Sequence, residues 1–201
     1  MVQDEQGLLE RVRKEEGAAL QEFVERYKKQ VFFLALDLTG NHHDAEDLSQ
    51  DVFIKAFTAV KGFRGDSRVS SWLHRITVNT YIDEKRKSSF KIMKLQRYFG
   101  AGGSEDEKGK EPDFPAPGPD PQTSFEQKRI QTDIQEALKK LSPQQKAVFV
   151  LRHYQELSLK EISEALAISE GTVKSLLFRA VRKLQKALSA YRIRPQWEDL
   201  Q

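Results

Sequence analysis

The stretch from Ser158 to Leu184 constrains the fold most, because it predicts two short helices separated by a tight turn. Ser158 and Glu161 have the spacing of a capping box, in which each side chain bonds the backbone of the other residue at a helix start. Ser169 is a second N-cap residue that can accept a hydrogen bond from an amide two or three residues later. Two capped helices this close together indicate a helix-turn-helix.

The second of these helices has two chemically different faces. At roughly 100° per residue, one face is apolar and consists of Val173, Leu177, Ala180 and Leu184. The opposite face carries Ser175, Phe178, Arg179 and Arg182. Between Thr172 and Arg194 the chain has seven Lys or Arg residues and no acid, which suits phosphate contacts and base-edge readout in a major groove. DNA is therefore the first predicted partner, and a solvated cationic face is the alternative.

Length and composition limit the remaining possibilities. A chain of 201 residues holds one or two domains, and the absence of cysteine excludes disulfides and cysteine-ligated zinc. The longest apolar runs, such as Val31 to Leu36, are far shorter than the roughly 20 residues that span a bilayer. The N-terminus is acidic, unlike a signal peptide. These features predict a cytoplasmic protein without direct membrane insertion.

A segment rich in glycine, proline and acids divides the chain. From Gly100 to Thr123 it has no hydrophobic period, which predicts a flexible acidic linker over residues 99–124. A linker of this length would allow the flanking parts, residues 1–98 and 125–201, to bind far apart. A tolerated surface insertion is the alternative interpretation.

The part before the linker is predicted to be helical. Apolar residues follow a three-four spacing from Leu20 to Leu38, and the run from Thr39 to His43 interrupts it. A second helix is predicted to start near Asp44. Its apolar residues, from Ala45 to Val60, can face a core. Three acids form an outward strip, namely Asp44, Asp47 and Asp51.

A loop and a third helix follow, with a mixture of side chains that suits unpaired bases. The loop runs from Lys61 to about Arg68, and Phe63 and Trp72 flank its end. The helix is predicted to turn Val69, Trp72, Leu73, Ile76 and Thr80 toward a core and to leave His74, Arg75, Asn79, Tyr81 and Lys85 largely elsewhere. Aromatic rings can stack on bases, and amides can bond their edges. For Trp72, simple core packing is an equal alternative.

The order of these parts closely resembles that of bacterial extracytoplasmic-function (ECF) sigma factors of the sigma-70 family. The resemblance rests on the strings DAEDLSQDVFIKAF, FRGDSRVSSWLHRITVNTYID and LSPQQKAVFVLRHYQELSLKEISEALAISEGTVKSLLFRAVRKL. It implies an all-α fold of two helical domains, a sigma region 2 bundle over 1–98 and a region 4 helix-turn-helix over 125–201. It also implies a protein that binds RNA polymerase core, opens promoter DNA and initiates transcription.

The resemblance assigns roles to particular residues. The candidates for docking on the clamp of the largest polymerase subunit are Asp44, Asp47, Gln50 and Asp51. The candidates for melting and reading the minus-10 element are Phe63, Arg64, Asp66, Ser67, Trp72 and Asn79. The candidates for reading the minus-35 duplex are Thr172, Lys174, Ser175, Phe178, Arg179 and Arg182. The polymerase flap and an anti-sigma factor are further implied partners, and the protein would be at the nucleoid when active.

Two positions depart from the family pattern. Relatives often carry arginine where this chain has Leu176 and Val181, on the shoulders of the recognition helix. Fewer cations would weaken duplex affinity and flatten its salt dependence. Alternatively, Leu176 widens an apolar face that an inhibitory partner covers.

No catalytic residue, cofactor or metal is predicted. The chain has no nucleophile arrangement and no glycine-rich phosphate loop, and a metal cluster of His42, His43, Asp44 and Asp47 is disfavoured because adjacent histidines point apart. Two rival functions remain at this stage. One is a helix-turn-helix regulator that is not a sigma subunit, and the other is a helical adaptor that binds only protein.

Overall fold

The computed structural model describes residues 2–63, 65, 67–99 and 121–191 of the chain. Over these ranges it contains only helices, which confirms the all-α prediction. The α-helices are α1 (Val2–Arg13), α2 (Gly17–Thr39), α3 (His42–Ala59), α4 (Val69–Phe99), α5 (Pro121–Lys139), α6 (Pro143–His153), α7 (Leu159–Leu166) and α8 (Glu170–Ala187). Short 3-10 turns cover Val60–Gly62 and Ser189–Tyr191. The middle of the predicted linker, 100–120, lies outside the described residues.

Local chemistry explains the break between α2 and α3. Gly40 ends α2 with a φ of 74°, in the left-handed region, and donates its N–H to Leu36 O. A Cβ at Gly40 would lie only 2.8 Å from Gln135 Oε1 of α5, so glycine fits this position for two reasons. Asn41 then caps α3 by accepting from the Asp44 amide at 3.0 Å. The helix therefore begins at His42, two residues before the predicted start.

The N-terminal unit, α1 to α4, forms its core from the predicted apolar stripes. Phe23, Val31, Leu34 and Leu38 of α2 are fully buried, and Leu48 and Val52 of α3 meet them. Helix α1, which precedes the first predicted apolar stripe, adds buried Leu8, Leu9 and Val12. The acidic residues of α3 are left on the outside of this bundle.

The C-terminal unit, α5 to α8, is organised by three serine caps. Ser142 and Ser158 form capping boxes with Gln145 and Glu161, and Ser169 caps α8. Helix α5 packs on α8 through a small separate core of Ala137, Leu138, Leu141, Ala180, Leu184 and Leu188. Helix α5 starts at Pro121, inside the segment predicted as linker, with proline at its first position.

The two units are packed against each other. Helices α6 and α7 contact α2 and α4, and the main buried cluster runs without interruption across both units. We call this contact the seam, and its polar residues are Asp37, Lys146 and Gln155. Gln155 Nε2 donates to Asp37 Oδ2 at 3.0 Å, across 118 residues of sequence. The Lys146 side chain is 4% exposed, and burial, with help from Lys85 and Lys139, lowers its pKa to about 8.

Helix α4 is buried on more sides than its periodicity predicted. His74 and Tyr81, which were expected outside the core, are only 7% and 5% exposed. The reason is that α4 contacts four other helices, α2, α3, α6 and α7. These contacts bury residues outside the one apolar face that the spacing indicated. His74 Nε2 lies 2.8 Å from Gln30 Nε2, while its buried Nδ1 has no hydrogen-bond partner. None of the described helices is long and apolar enough to cross a membrane.

Burial of His74 generates a prediction about pH. Burial lowers the pKa of His74 below its ordinary value, which is about 6.5 in an unfolded chain. His74 therefore binds a proton more readily in the unfolded chain than in the folded chain. The stability of the fold with neutral, buried His74 is complete above pH 6.5 and is lost as the pH falls below that value. We expect the free energy of unfolding in urea to fall between pH 7.5 and 5.5.

The variant His74→Gln removes this titration and should flatten the slope by up to ~1.4 kcal/mol per pH unit. His153, whose pKa burial and then Arg152 lower, contributes the same residual slope to both proteins. The exposed His43 serves as the matched control through His43→Gln. Identical pH slopes for wild type and His74→Gln would contradict the prediction.

Candidate nucleic-acid interfaces

The predicted helix-turn-helix is confirmed as α7 and α8. Ser158 N donates to Glu161 Oε2 at 2.8 Å, and Glu161 N donates to Ser158 Oγ at 3.2 Å. Thr172 N donates to Ser169 Oγ at 3.1 Å, so the second cap uses the amide three residues on. Ala167, with a φ of 53°, makes the left-handed step that ends α7. These local bonds fix the angle at which α8 leaves the turn.

Helix α8 separates a buried face from an exposed polar and cationic face, as its spacing predicted. Val173, Ala180 and Leu184 are buried, and Leu177 is half-buried. The predicted minus-35 residues are all exposed, namely Thr172, Lys174, Ser175, Phe178, Arg179 and Arg182. The structure thus brings all six to the outer surface of one helix.

Phe178 is the unusual member of this face. Its ring is 62% exposed, although exposing a large apolar side chain to water is energetically unfavourable. The guanidinium of Arg182 lies 5.7 Å from the centroid of the Phe178 ring, within cation–π range. In a major groove, an aromatic ring can contact a thymine methyl while neighbouring cations contact phosphates or guanine edges.

The two departures from the family pattern lie beside this face. Leu176 and Val181 are half-buried, and Leu176 packs against the main core. The structure therefore uses Leu176 in the packing of the chain itself. Arginine at this position would extend the cationic face at the expense of this packing.

The second interface is the loop before α4 and the first turns of α4. Phe63 is largely buried and its ring stacks on Trp72, with centroids 4.7 Å apart and planes 29° apart. Ser67 and Asn79 are exposed, so both are accessible to a nucleic acid. Arg64 and Asp66 lie outside the described residues. Phe63 and Trp72 therefore form one aromatic pair beside the loop.

Arg13 is a functional candidate that the sequence did not reveal. It lies at the end of α1, yet its Nε donates to Val60 O at 3.3 Å and its Nη2 donates to Phe63 O at 2.5 Å. The two bonds span 47 and 50 residues of sequence. An arginine in the last turn of a helix is ordinary, so nothing in the sequence pointed to this contact.

The acidic strip on α3 forms a third surface. Asp44, Asp47, Gln50 and Asp51 are all exposed, as predicted for Asp44, Asp47 and Asp51. Glu84 of α4 adds a further acid that the sequence did not indicate. Burial, and then the charges of Asp51 and Asp44, raise the pKa of Glu84 despite opposing effects of Lys55 and Lys85.

Two other features modify the acidic surface. Ile54 lies on α3 one turn beyond Gln50, and it is 64% exposed. At the other end of the helix, His42 Nδ1 lies 3.5 Å from Glu46 Oε1 and His43 Nε2 lies 3.8 Å from Asp47 Oδ2. The two histidines thus face different carboxylates. The surface combines fixed negative charge with one apolar side chain, which is a composition that suits a protein partner.

Comparisons with known proteins match the same two units. The family model for sigma-70 region 2 matches residues 23–90, and that for sigma-70 region 4 matches residues 131–184. The chain is 33% identical to the ECF RNA polymerase sigma factor SigW of Bacillus subtilis, over 90% of this chain and 94% of SigW. It is 32% identical to the ECF sigma factor SigE of Mycolicibacterium smegmatis over 85% of its length, but spans only 62% of SigE.

Two solved structures share the fold. One is the sigma factor RpoE in complex with the anti-sigma factor NepR from Bartonella quintana, with a TM-score of 0.58, 23% identity, and 84% of this chain and 96% of that chain covered. The other is CnrH in complex with the cytosolic domain of CnrY, with a TM-score of 0.56, 22% identity, and coverage of 91% and 96%. With the helix-turn-helix, the loop before α4 and the acidic α3 in the family's order, the chain belongs to the ECF sigma factors of the sigma-70 family.

Proposed function

We propose that this protein is an alternative sigma subunit that recruits RNA polymerase core to a set of promoters and opens the DNA there. The observation that carries the proposal is the presence of three separate exposed surfaces on one chain. An acidic strip with an apolar residue suits a protein, a loop with an exposed amide on α4 suits unpaired bases, and a cationic α8 suits duplex DNA. Neither rival function uses all three surfaces.

The acidic strip is the proposed contact with the clamp of the largest polymerase subunit. Asp44, Asp47, Gln50 and Asp51 present negative charge along α3, and Glu84 extends that charge onto α4. Charge of this kind steers encounter with a basic partner and sets specificity. The exposed Ile54 would supply desolvated apolar contact within the same interface. The C-terminal unit would contact the polymerase flap, as the family resemblance implies.

The loop before α4 is the proposed reader of the minus-10 element. A base that leaves its stack needs a polar edge contact and an enclosing surface. Asn79 and Ser67 are exposed to provide edge contacts, and the Phe63–Trp72 pair provides a rigid apolar wall. Arg64 and Asp66, assigned by resemblance, would complete the pocket.

Helix α8 is the proposed reader of the minus-35 duplex. Lys174, Ser175, Arg179 and Arg182 would divide between phosphates and base edges, and Phe178 would make an apolar contact in the groove. The chain itself supplies positioning and strand capture, while phosphoryl transfer belongs to the polymerase.

An anti-sigma factor is a proposed partner, because the solved relatives named above were determined with one or with a partner's cytosolic domain. The proposed location is the cytoplasm, at the nucleoid when active.

Reconstitution tests this function. The full chain is mixed with sigma-free polymerase core, and bound promoters are selected from a pool of genomic fragments. We expect the chain to make initiation dependent on the selected promoters. A helix-turn-helix regulator would bind DNA without core and give no initiation, and an adaptor would select no DNA. Either of these results would overturn the proposal.

Two variants test whether the minus-10 surface and the acidic strip have separate functions. Asn79→Ala removes an exposed amide from the proposed minus-10 surface and should lower promoter opening about tenfold or more, the loss expected for a good base contact, with core affinity unchanged. Asp51→Asn removes one charge from the acidic strip and should weaken core binding, and opening should recover at saturating core. Opening is followed by 2-aminopurine fluorescence in the minus-10 element, and core affinity by titration of labelled chain. Equal losses of core affinity in both variants would contradict the assignment.

A further inference from the structure

Arg13 ties the end of α1 to the segment that precedes the minus-10 loop. Its guanidinium donates to the carbonyls of Val60 and Phe63 at 3.3 and 2.5 Å. One carbonyl belongs to the first residue of the 3-10 turn that follows α3 and the other to Phe63, which ends that turn; the Val60 carbonyl also accepts from the Phe63 amide at 3.2 Å. Arginine suits the position because its planar group presents several donors in a fixed fork. A lysine ammonium is a single point donor and lacks that geometry.

The Phe63 carbonyl is the last backbone atom before Arg64 and the loop. The ring of the same residue stacks on Trp72 of α4. Arg13 of α1 therefore holds the backbone of Phe63, and Trp72 of α4 holds its side chain. A second tie joins the same segments, because Lys61 Nζ lies 2.7 Å from Glu15 Oε1. Both of those side chains are exposed, so the pair contributes little. Arg13 is therefore the principal bond between α1 and the loop entry.

We infer that Arg13 is a positioning residue for the minus-10 reading loop. It fixes the point and direction at which the chain leaves Phe63, and so sets where the exposed Ser67 meets an extruded base. Arg13 acts through the backbone and does not need to touch DNA. This inference rests on the proposed function.

The test compares Arg13→Ala with Arg11→Ala in the full chain assembled with polymerase core. Arg11 lies on the same helix, but it is exposed and bonds Glu16 and Glu22, so it is a matched control. Arg13→Ala should slow promoter opening about tenfold, the effect of losing a hydrogen-bonded charged group, and should flatten discrimination among minus-10 bases. Core affinity should stay within about twofold of wild type, and Arg11→Ala should change neither quantity.

Arg13→Lys gives a second, milder variant in case Arg13→Ala does not fold. Lysine retains the charge and the stem but can bond only one carbonyl well, so we expect an intermediate opening rate with normal core affinity. Unchanged opening and base discrimination, or a parallel loss of core affinity in the folded variants, would overturn the inference. If the wild-type holoenzyme itself opens no promoter, the proposed function fails, which is a different result.

Discussion

Burial of α4 between four helices is the interaction on which the rest of the structure depends. Leu73, Thr77 and Val78 are fully buried near its middle, and Thr77 satisfies its hydroxyl by donating to Leu73 O at 2.8 Å. Each large apolar side chain buried in this way stabilises the fold by ~1.5–3 kcal/mol. Because α4 contacts α2, α3, α6 and α7, and α7 contacts α8, a single helix connects the elements that carry all three candidate surfaces.

Two of the three surfaces have opposite electrostatic sign, and the net charge of the chain conceals this. Acids dominate the outer side of α3 and continue to Glu84, while cations dominate the outer side of α8. The overall charge of +3 is the small remainder. A polyanion is attracted to α8 and repelled from α3, whereas a basic protein surface is drawn to α3. Charge separation of this kind orients the chain between two partners before any close contact forms.

Features that depend on neighbours in the sequence could be predicted, and those that depend on distant packing could not. The caps at Ser158 and Ser169, the buried stripe of α2 and the two faces of α8 follow from spacing within a few residues. The seam, by contrast, joins residues 118 positions apart.

The same distinction holds within the candidate sites. The outward acids of α3 and the exposed cationic face of α8 were predictable because each lies on one helix. The burial of His74 and Tyr81 was not, because it requires a second layer of helices over α4. Arg13 and Glu84 were missed for the same reason, since each acts on a residue from another element.

The division of α8 into two faces has a consequence for how such proteins diverge. Ser175, Phe178 and Arg179 project into solvent, and substitutions at surface positions of this kind usually change stability by less than ~0.5 kcal/mol. A lineage can therefore exchange these side chains, and with them the promoters that we propose they read, without refolding the helix. Leu176 packs against the core and Val181 is half-buried, so duplicated copies of such a gene are freer to drift at the centre of this exposed face than at its shoulders.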